Sequence, residues 1–214
     1  RIGSKFLESG PGFGGSCFKK DILNLVYLAE FFGLPEVARF WNEVVRINKW
    51  HQGRIAKVIT KKLFGTISGK KIVVLGFAFK CNTNDTRESA AIKICRDLID
   101  EGAKLYIHDP KVDSKQISLD LEIECVNDIE KLSKQVLPSE EGCWYKVNNF
   151  QESFNEADAV LILTEWKEYA EIEWEDISER MREPAWVFDS RSIVNVKKVR
   201  NAGLRLWRVG DGFT

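Results

Sequence analysis

An α/β fold built on a parallel sheet, preceded by a helical segment with one long helix, is the architecture this 214-residue sequence predicts. Three observations predict it. From Gly69 onward, short apolar runs of strand length alternate with helix-like stretches, the pattern of βα units whose sheet is covered on both faces. Before Gly69, apolar residues recur at helical spacing instead. The composition, 44% hydrophobic and 30% charged, is that of a globular chain able to bury a core.

The elements follow in order. Residues 1–15 read as a loop, with Gly3, Gly10, Pro11, Gly12, Gly14 and Gly15. Ser16 suits an N-cap. Residues 17–32 place Phe18, Ile22, Leu25, Val26 and Leu28 at helical spacing, and Gly33 stands where a helix-ending glycine belongs. After Pro35 a long helix carries Val37, Phe40, Val44, Ile47, Ile55, Val58 and Ile59 towards Leu63. It is apolar on more than one face, as in a domain-spanning strut or an oligomer interface. Strands are expected at 71–75, 104–108, 159–163, 186–189 and 205–209, with a weaker one at 144–147. Helices are expected at 88–101, 148–156, 175–181 and 194–202. Residues 111–143 are polar and irregular, and no element is assigned to them.

Several function classes are excluded at once. Lys+Arg and Asp+Glu both number 32, so no net charge favours bulk nucleic acid or an anionic membrane. The longest apolar runs, 72–76 and 159–163, fall far short of the ~20 residues of a membrane span. Five cysteines, an odd number without paired spacing, fit a reducing cytoplasmic compartment better than a disulfide scaffold. His51 and His108 are the only histidines, too few for a histidine-based metal site, and no metal is expected. The chain opens on Arg1 rather than Met, so it is expected to be a piece of a longer protein.

Two segments carry chemistry. Gly10, Gly12 and Gly15 satisfy G-x-G-x-x-G, but no strand precedes them and no acidic-ended strand follows at ~20 residues, so the dinucleotide reading fails here. What survives is a glycine loop able to wrap backbone N–H groups around an anion ahead of a helix N-terminus. Cys17, in the first turn of that helix beside Lys19 and Lys20, is expected to favour its thiolate. Asp21 lies at i+4 on the same face, placed to hold a water or a proton. The plainer alternative makes Cys17 a buried small hydrophobe. The second segment, 75–89, follows the first strand of the α/β region at its carboxyl edge, where Lys80 and Arg87 bracket a polar loop suited to phosphate or carboxylate. Solvated loop charges are the alternative there. Asp109 ends the second strand, where a ribose hydroxyl is often held, although an Asp-Pro turn explains it equally. Arg191 follows another strand at the same edge. Trp186 and Trp207 read as core or sheet-edge packing.

These residues carry a resemblance. Phe6-Leu7, Gly10, Gly12-Phe13-Gly14-Gly15-Ser16-Cys17-Phe18 and Lys20-Asp21, followed by Phe77-Ala78-Phe79-Lys80, Thr83, Asp85 and Arg87, resemble the nucleotide-sugar dehydrogenases, nearest to those acting on UDP-glucose. The resemblance covers essentially the whole chain. It implies residues 1–66 as glycine loop plus helical central, dimerising region, and residues 67–214 as a Rossmann-like UDP-sugar-binding domain. It implies an NAD-dependent, two-step oxidation of UDP-glucose to UDP-glucuronate. In that chemistry Cys17 is the nucleophile, forming first a thiohemiacetal and then a thioester, and Asp21 assists proton movement. Phe6, Leu7, Gly10, Gly12, Phe13 and Gly14 match the loop over the nucleotide sugar, and Phe79, Lys80 and Arg191 match substrate contacts. Lys20 and Arg87 match residues on NAD, and Arg1 matches an arginine offered to a neighbouring subunit. A homo-oligomer is implied, a dimer through the central helix or a hexamer.

There are departures. Glu8 stands where animal members usually carry lysine, Cys81-Asn82 replace a commoner Lys-Asp pair, and Ser190 replaces a glycine. The family's dinucleotide-binding domain, with its phosphate loop, lysine and glutamate, is expected upstream of Arg1, so this chain alone is expected to turn over nothing. Two other readings stay open: a dehydrogenase for GDP-mannose or UDP-N-acetylmannosamine, and a non-catalytic nucleotide-binding module.

Overall fold

The computed structural model describes residues 8–127 and 141–211. Helix α1 (Ser16–Phe31) begins one residue earlier than expected. Its N-cap is Gly15, and Ser16 is the first helical residue, so the expected serine cap is corrected. Gly33, at φ 69°, closes the helix while Leu34 donates its N–H to the Ala29 carbonyl at 2.8 Å. Pro35 then opens α2 (Pro35–Lys62), a 28-residue helix packed on α1.

The two halves of α2 differ. Ile55, Ala56 and Ile59 are buried, and with Leu63 and Ile67 they join the main core. Val37, Phe40, Ile47 and Trp50 are exposed, as are Leu25, Leu28 and Phe31 of α1 and Phe32 just after it. The second apolar face read from the periodicity is therefore present and open.

The sheet has six strands, β1 (Lys71–Leu75), β2 (Lys104–His108), β3 (Cys143–Lys146), β4 (Ala159–Ile162), β5 (Trp186–Asp189) and β6 (Arg205–Arg208). All pairings are parallel, in the order β3-β2-β1-β4-β5-β6. Alternation splits the core between two faces. Ile72 and Val74 pack with Ile94, Leu98, Ile107 and Phe188 on one side. Val73 and Leu75 pack with Val160, Ile162, Tyr169 and Trp174 on the other. Trp186 and Trp207 flank Phe188, at ring separations of 5.5 and 6.3 Å. Of the two readings, core or sheet edge, the core one holds for both, since both join the buried cluster, Trp207 from the edge strand β6.

Helix α3 (Ala90–Asp100) starts two residues later than expected. Glu88 occupies the left-handed region at φ 56°, and Ser89 caps the helix by accepting from the Ala91 N–H at 3.3 Å. Helix α4 (Ser114–Leu121) lies in the stretch given no element; Asp113 caps it through the Gln116 N–H. Only Ile117 and Leu121 are buried along it, too little for a periodic signal. Four short helices complete the described chain: α5 (Phe150–Ser153), α6 (Lys167–Ala170), α7 (Trp174–Ser178) and α8 (Val196–Asn201). Among the described residues no helix is long and apolar enough to cross a membrane, and no group of three or more His, Cys, Asp or Glu is placed to hold a metal.

His108, the last residue of β2, is buried with its Nδ1 2.8 Å from the Tyr169 hydroxyl and 4.0 Å from Glu168. Burial, reinforced by the nearby Lys146 ammonium, lowers its pKa to about 4. The unfolded chain therefore binds the extra proton between pH ~6.5 and ~4, and stability falls as the pH is lowered through that window, by up to about 3 kcal/mol from this group. Between pH 7 and pH 4.5 the urea midpoint of wild type should fall further than that of His108→Gln. A constant difference would contradict this.

Candidate functional site

The strand order reverses between β1 and β4, and the crevice outside their carboxyl ends is where such sheets bind ligands. The loop after β1 forms one wall, and side chains from three other loops hold its backbone. The Asp109 carboxylate accepts from the Phe77 and Ala78 N–H groups at 2.7 and 3.0 Å, and from Lys111 and Val112 in its own turn at 2.9 and 3.1 Å. Thr164 donates its hydroxyl to the Ala78 carbonyl at 2.7 Å. Arg191 donates through Nη2 to the Phe79 carbonyl at 2.9 Å, and Glu165 accepts from the Cys81 N–H at 3.1 Å. Asp109 is thus a structural carboxylate with both oxygens occupied. The ribose-holding alternative is corrected: the Asp-Pro turn reading is the one that stands.

Arg191 is partly buried beside these groups. Its Nε donates to the Leu163 carbonyl at 2.8 Å and lies 3.2 Å from Glu165, with the side chain only 18% exposed. Burial lowers its pKa and the Glu165 charge opposes that, leaving a guanidinium that stays charged. Asp189 fixes the backbone of the same turn, accepting from the Arg191 and Val194 N–H groups at 2.9 Å each. Burial raises the Asp189 pKa against those bonds.

The glycine loop packs on the wall formed by the β1 loop. Gly15 donates its N–H to the Arg87 carbonyl at 2.9 Å, and Ser9 lies 3.2 Å from the Ser192 hydroxyl. A Cβ on Gly14 would stand 2.6 Å from the Glu88 carbonyl oxygen and 3.1 Å from Phe79 Cβ, so glycine is what lets the two loops touch. Gly10 packs on the Arg191 guanidinium, a Cβ there being 3.2 Å from Nη1. Gly10, Gly14, Phe79 and Arg191 therefore meet, with exposed Lys80 placing its ammonium 5.3 Å from the Phe79 ring.

Cys17 is exposed at the start of α1, so the reading as a buried hydrophobe is corrected. Arg87 is exposed and held above its ordinary pKa range by its bonds to Asp85. Lys19 is engaged by both oxygens of Glu88, at 2.9 and 2.8 Å. Lys20 and Asp21 stand exposed on α1, and among the described residues no bond joins either to the crevice. Gly12 and Phe13 belong to the glycine loop, the Phe13 ring resting edge-on against Phe18 at 4.7 Å. Arg1, Phe6 and Leu7 lie outside the described residues. The other thiols are unlike Cys17. Cys95, Cys125 and Cys143 are buried, and burial pushes the Cys95 and Cys143 thiols up. Cys81 is half-buried, raised by burial and by the Glu165 carboxylate.

Sequence reasoning missed Thr164 and Glu165, although they follow β4 at the same carboxyl edge that singled out Arg191. It also missed Asn48 and His51, which look like the polar side of a helix yet bond to the glycine loop.

Two family models match the chain. One, the UDP binding domain of the UDP-glucose/GDP-mannose dehydrogenase family, covers residues 73–196, and the other, the central domain of that family, covers residues 1–50. UDP-glucose 6-dehydrogenase 4 of Arabidopsis thaliana is 41% identical over 98% of this chain and 44% of its own length. The UDP-glucose 6-dehydrogenase of Gallus gallus is 47% identical over 91% of this chain and 38% of its own length. A UDP-glucose dehydrogenase from Pyrobaculum islandicum superposes with a TM-score of 0.66 at 30% identity, over 97% of this chain and 40% of that one. This chain spans less than half the length of the relatives it matches. Its parallel sheet, its crevice and these matches agree: the chain belongs to the UDP-glucose/GDP-mannose dehydrogenase family.

Proposed function

We propose that this chain is the UDP-sugar-binding part of an NAD-dependent dehydrogenase that oxidises UDP-glucose to UDP-glucuronate. The observation that carries this is the meeting of the glycine loop with Phe79 and Arg191 at the strand-order reversal, with Cys17 exposed directly after that loop. Arg191 and Lys80 supply positive charge for the diphosphate, Phe79 supplies an aromatic face, and Gly10, Gly12, Phe13 and Gly14 supply backbone around the nucleotide sugar.

Cys17 acts as the nucleophile. Loss of a first hydride and a proton turns the C6 hydroxyl into an aldehyde; the Cys17 thiolate adds to it, and the resulting thiohemiacetal keeps the aldehyde in place. Loss of hydride from C6 then leaves a thioester, which water cleaves to release the carboxylate and restore the thiol. Asp21, one turn along the same helix face, takes and returns protons during addition and hydrolysis. NAD, when bound, supplies the hydride acceptor. The crevice of this sheet does not fit it: Gly76 stands alone in the β1 turn, and Asp109, which would hold a ribose, is spent on backbone N–H groups. The exposed cations Lys20 and Arg87 do suit contact with its phosphates from outside the crevice.

In this reading residues 1–66 form the central, dimerising region and residues 67–214 the sugar-nucleotide domain. The exposed apolar residues of α1 and α2 face a second subunit in a homo-oligomer, and the setting is cytoplasmic.

Titrating the chain with UDP-glucose tests the assignment. Lys80→Ala should weaken binding by about tenfold to a hundredfold, the worth of one charge-assisted hydrogen bond. Unchanged affinity refutes the role given to Lys80, and tighter binding of GDP-mannose or UDP-N-acetylmannosamine moves the substrate to that sugar.

A further inference from the structure

We infer that Asn48 and His51 of α2 are positioning residues that set the glycine loop in the shape in which it receives UDP-glucose, an inference resting on the function proposed above. The two lie three residues apart on one face of α2, while their neighbours Ile47 and Trp50 are exposed. The Asn48 side chain holds both backbone groups of Phe13: Oδ1 accepts from the Phe13 N–H at 2.9 Å, and Nδ2 donates to the Phe13 carbonyl at 3.0 Å. His51 Nε2 lies 3.0 Å from the Gly10 carbonyl. A carbonyl only accepts, so His51 is the donor, and its Nε2 carries the proton.

The fit extends to Gly12, between the two anchored residues. Its φ is 116°, and a Cβ there would sit 2.6 Å from Asn48 Oδ1 and 3.3 Å from the Gln52 side chain. The loop can therefore lie this close to α2 only with glycine at that position. Glycine-rich backbone has much conformational freedom to lose on ordering. Three side-chain bonds along residues 10–13 remove that freedom before ligand arrives, so binding does not bear the cost of ordering the loop. The far side of the same loop meets Phe79 and Arg191, and its end leads into Cys17. Asn48 and His51 thus act on the ligand through the loop and touch no reacting atom.

The test pairs amide exchange with titration of the 214-residue chain. Asn48→Leu should speed exchange of the amides of residues 12–16 by about tenfold and weaken UDP-glucose by a similar factor. Its urea midpoint should move little. His51→Leu should loosen residues 10–13 in the same way, and His51→Gln, which keeps a donor, should restore both readouts. Asn48→Asp, keeping the acceptor for the Phe13 N–H but facing its carbonyl with a carboxylate, should resemble Asn48→Leu. Unchanged exchange in Asn48→Leu overturns the inference, as does faster exchange with unchanged affinity or failure of His51→Gln to rescue. If the wild-type chain binds no UDP-glucose, the proposed function fails, and the inference about its ligand fails with it. The exchange measurements then still decide whether α2 holds the loop.

Discussion

Replacing Cys17 by serine is expected to lower UDP-glucuronate formation by about a thousandfold or more, in a hybrid of this chain with the part of the Gallus gallus relative that it does not match. A serine hydroxyl is far less ionised than a thiol, so addition to the C6 aldehyde slows, and any ester formed is cleaved more slowly than a thioester. The intact mass of the variant should then reveal an accumulating acyl adduct. Serine at Cys81, Cys95, Cys125 or Cys143 should leave most activity wherever the fold survives. Three of these are buried, and Cys81 is bound up with Glu165 and Arg191 instead of facing the end of the glycine loop. Full UDP-glucuronate production by Cys17→Ser would mean that the nucleophile is another group.

Asp109→Ala is expected to cost the chain about 3–5 kcal/mol of stability, read as a fall in urea midpoint at constant slope. The carboxylate is buried and accepts from four backbone N–H groups. Alanine leaves those donors unpaired inside the protein. The loss should extend to binding, because Phe77 and Ala78 set the position of Phe79 and Lys80. Asp21→Ala, on the exposed face of α1, should stay within about 0.5 kcal/mol of wild type. A shift below about 1 kcal/mol for Asp109→Ala would show that the loop does not depend on this carboxylate.

The sheet was the most legible part of the sequence, for a physical reason. Strands covered on both faces are continuous apolar runs, and Lys71–Leu75, Lys104–His108 and Trp186–Asp189 fall where those runs fall. Helix α4 was illegible because two buried residues make no period. The start of α3 was misplaced because the left-handed turn at Glu88 is made by a residue that ordinarily favours helix. In the site, strand ends pointed to Asp109 and Arg191, but which way a carboxylate turns depends on partners distant in the chain. Phe77 and Ala78 are such partners, and they convert Asp109 from a candidate ligand contact into scaffold. Asn48 and His51 were hidden for the same reason, their partners being loop carbonyls and amides more than thirty residues away.

In the proposed function UDP-glucose lies where the glycine loop meets the β1 loop, near Cys17. The most direct measurement is a peptide-mapped alkylation time course of the five thiols, with and without UDP-glucose. Cys17 should be labelled first, since it is the exposed thiol, while burial raises Cys81, Cys95 and Cys143. Saturating UDP-glucose should slow that labelling about tenfold or more, and at Cys17 more than at any other site. Faster labelling elsewhere, or a Cys17 rate that saturating UDP-glucose leaves unchanged, would contradict the placement of the substrate.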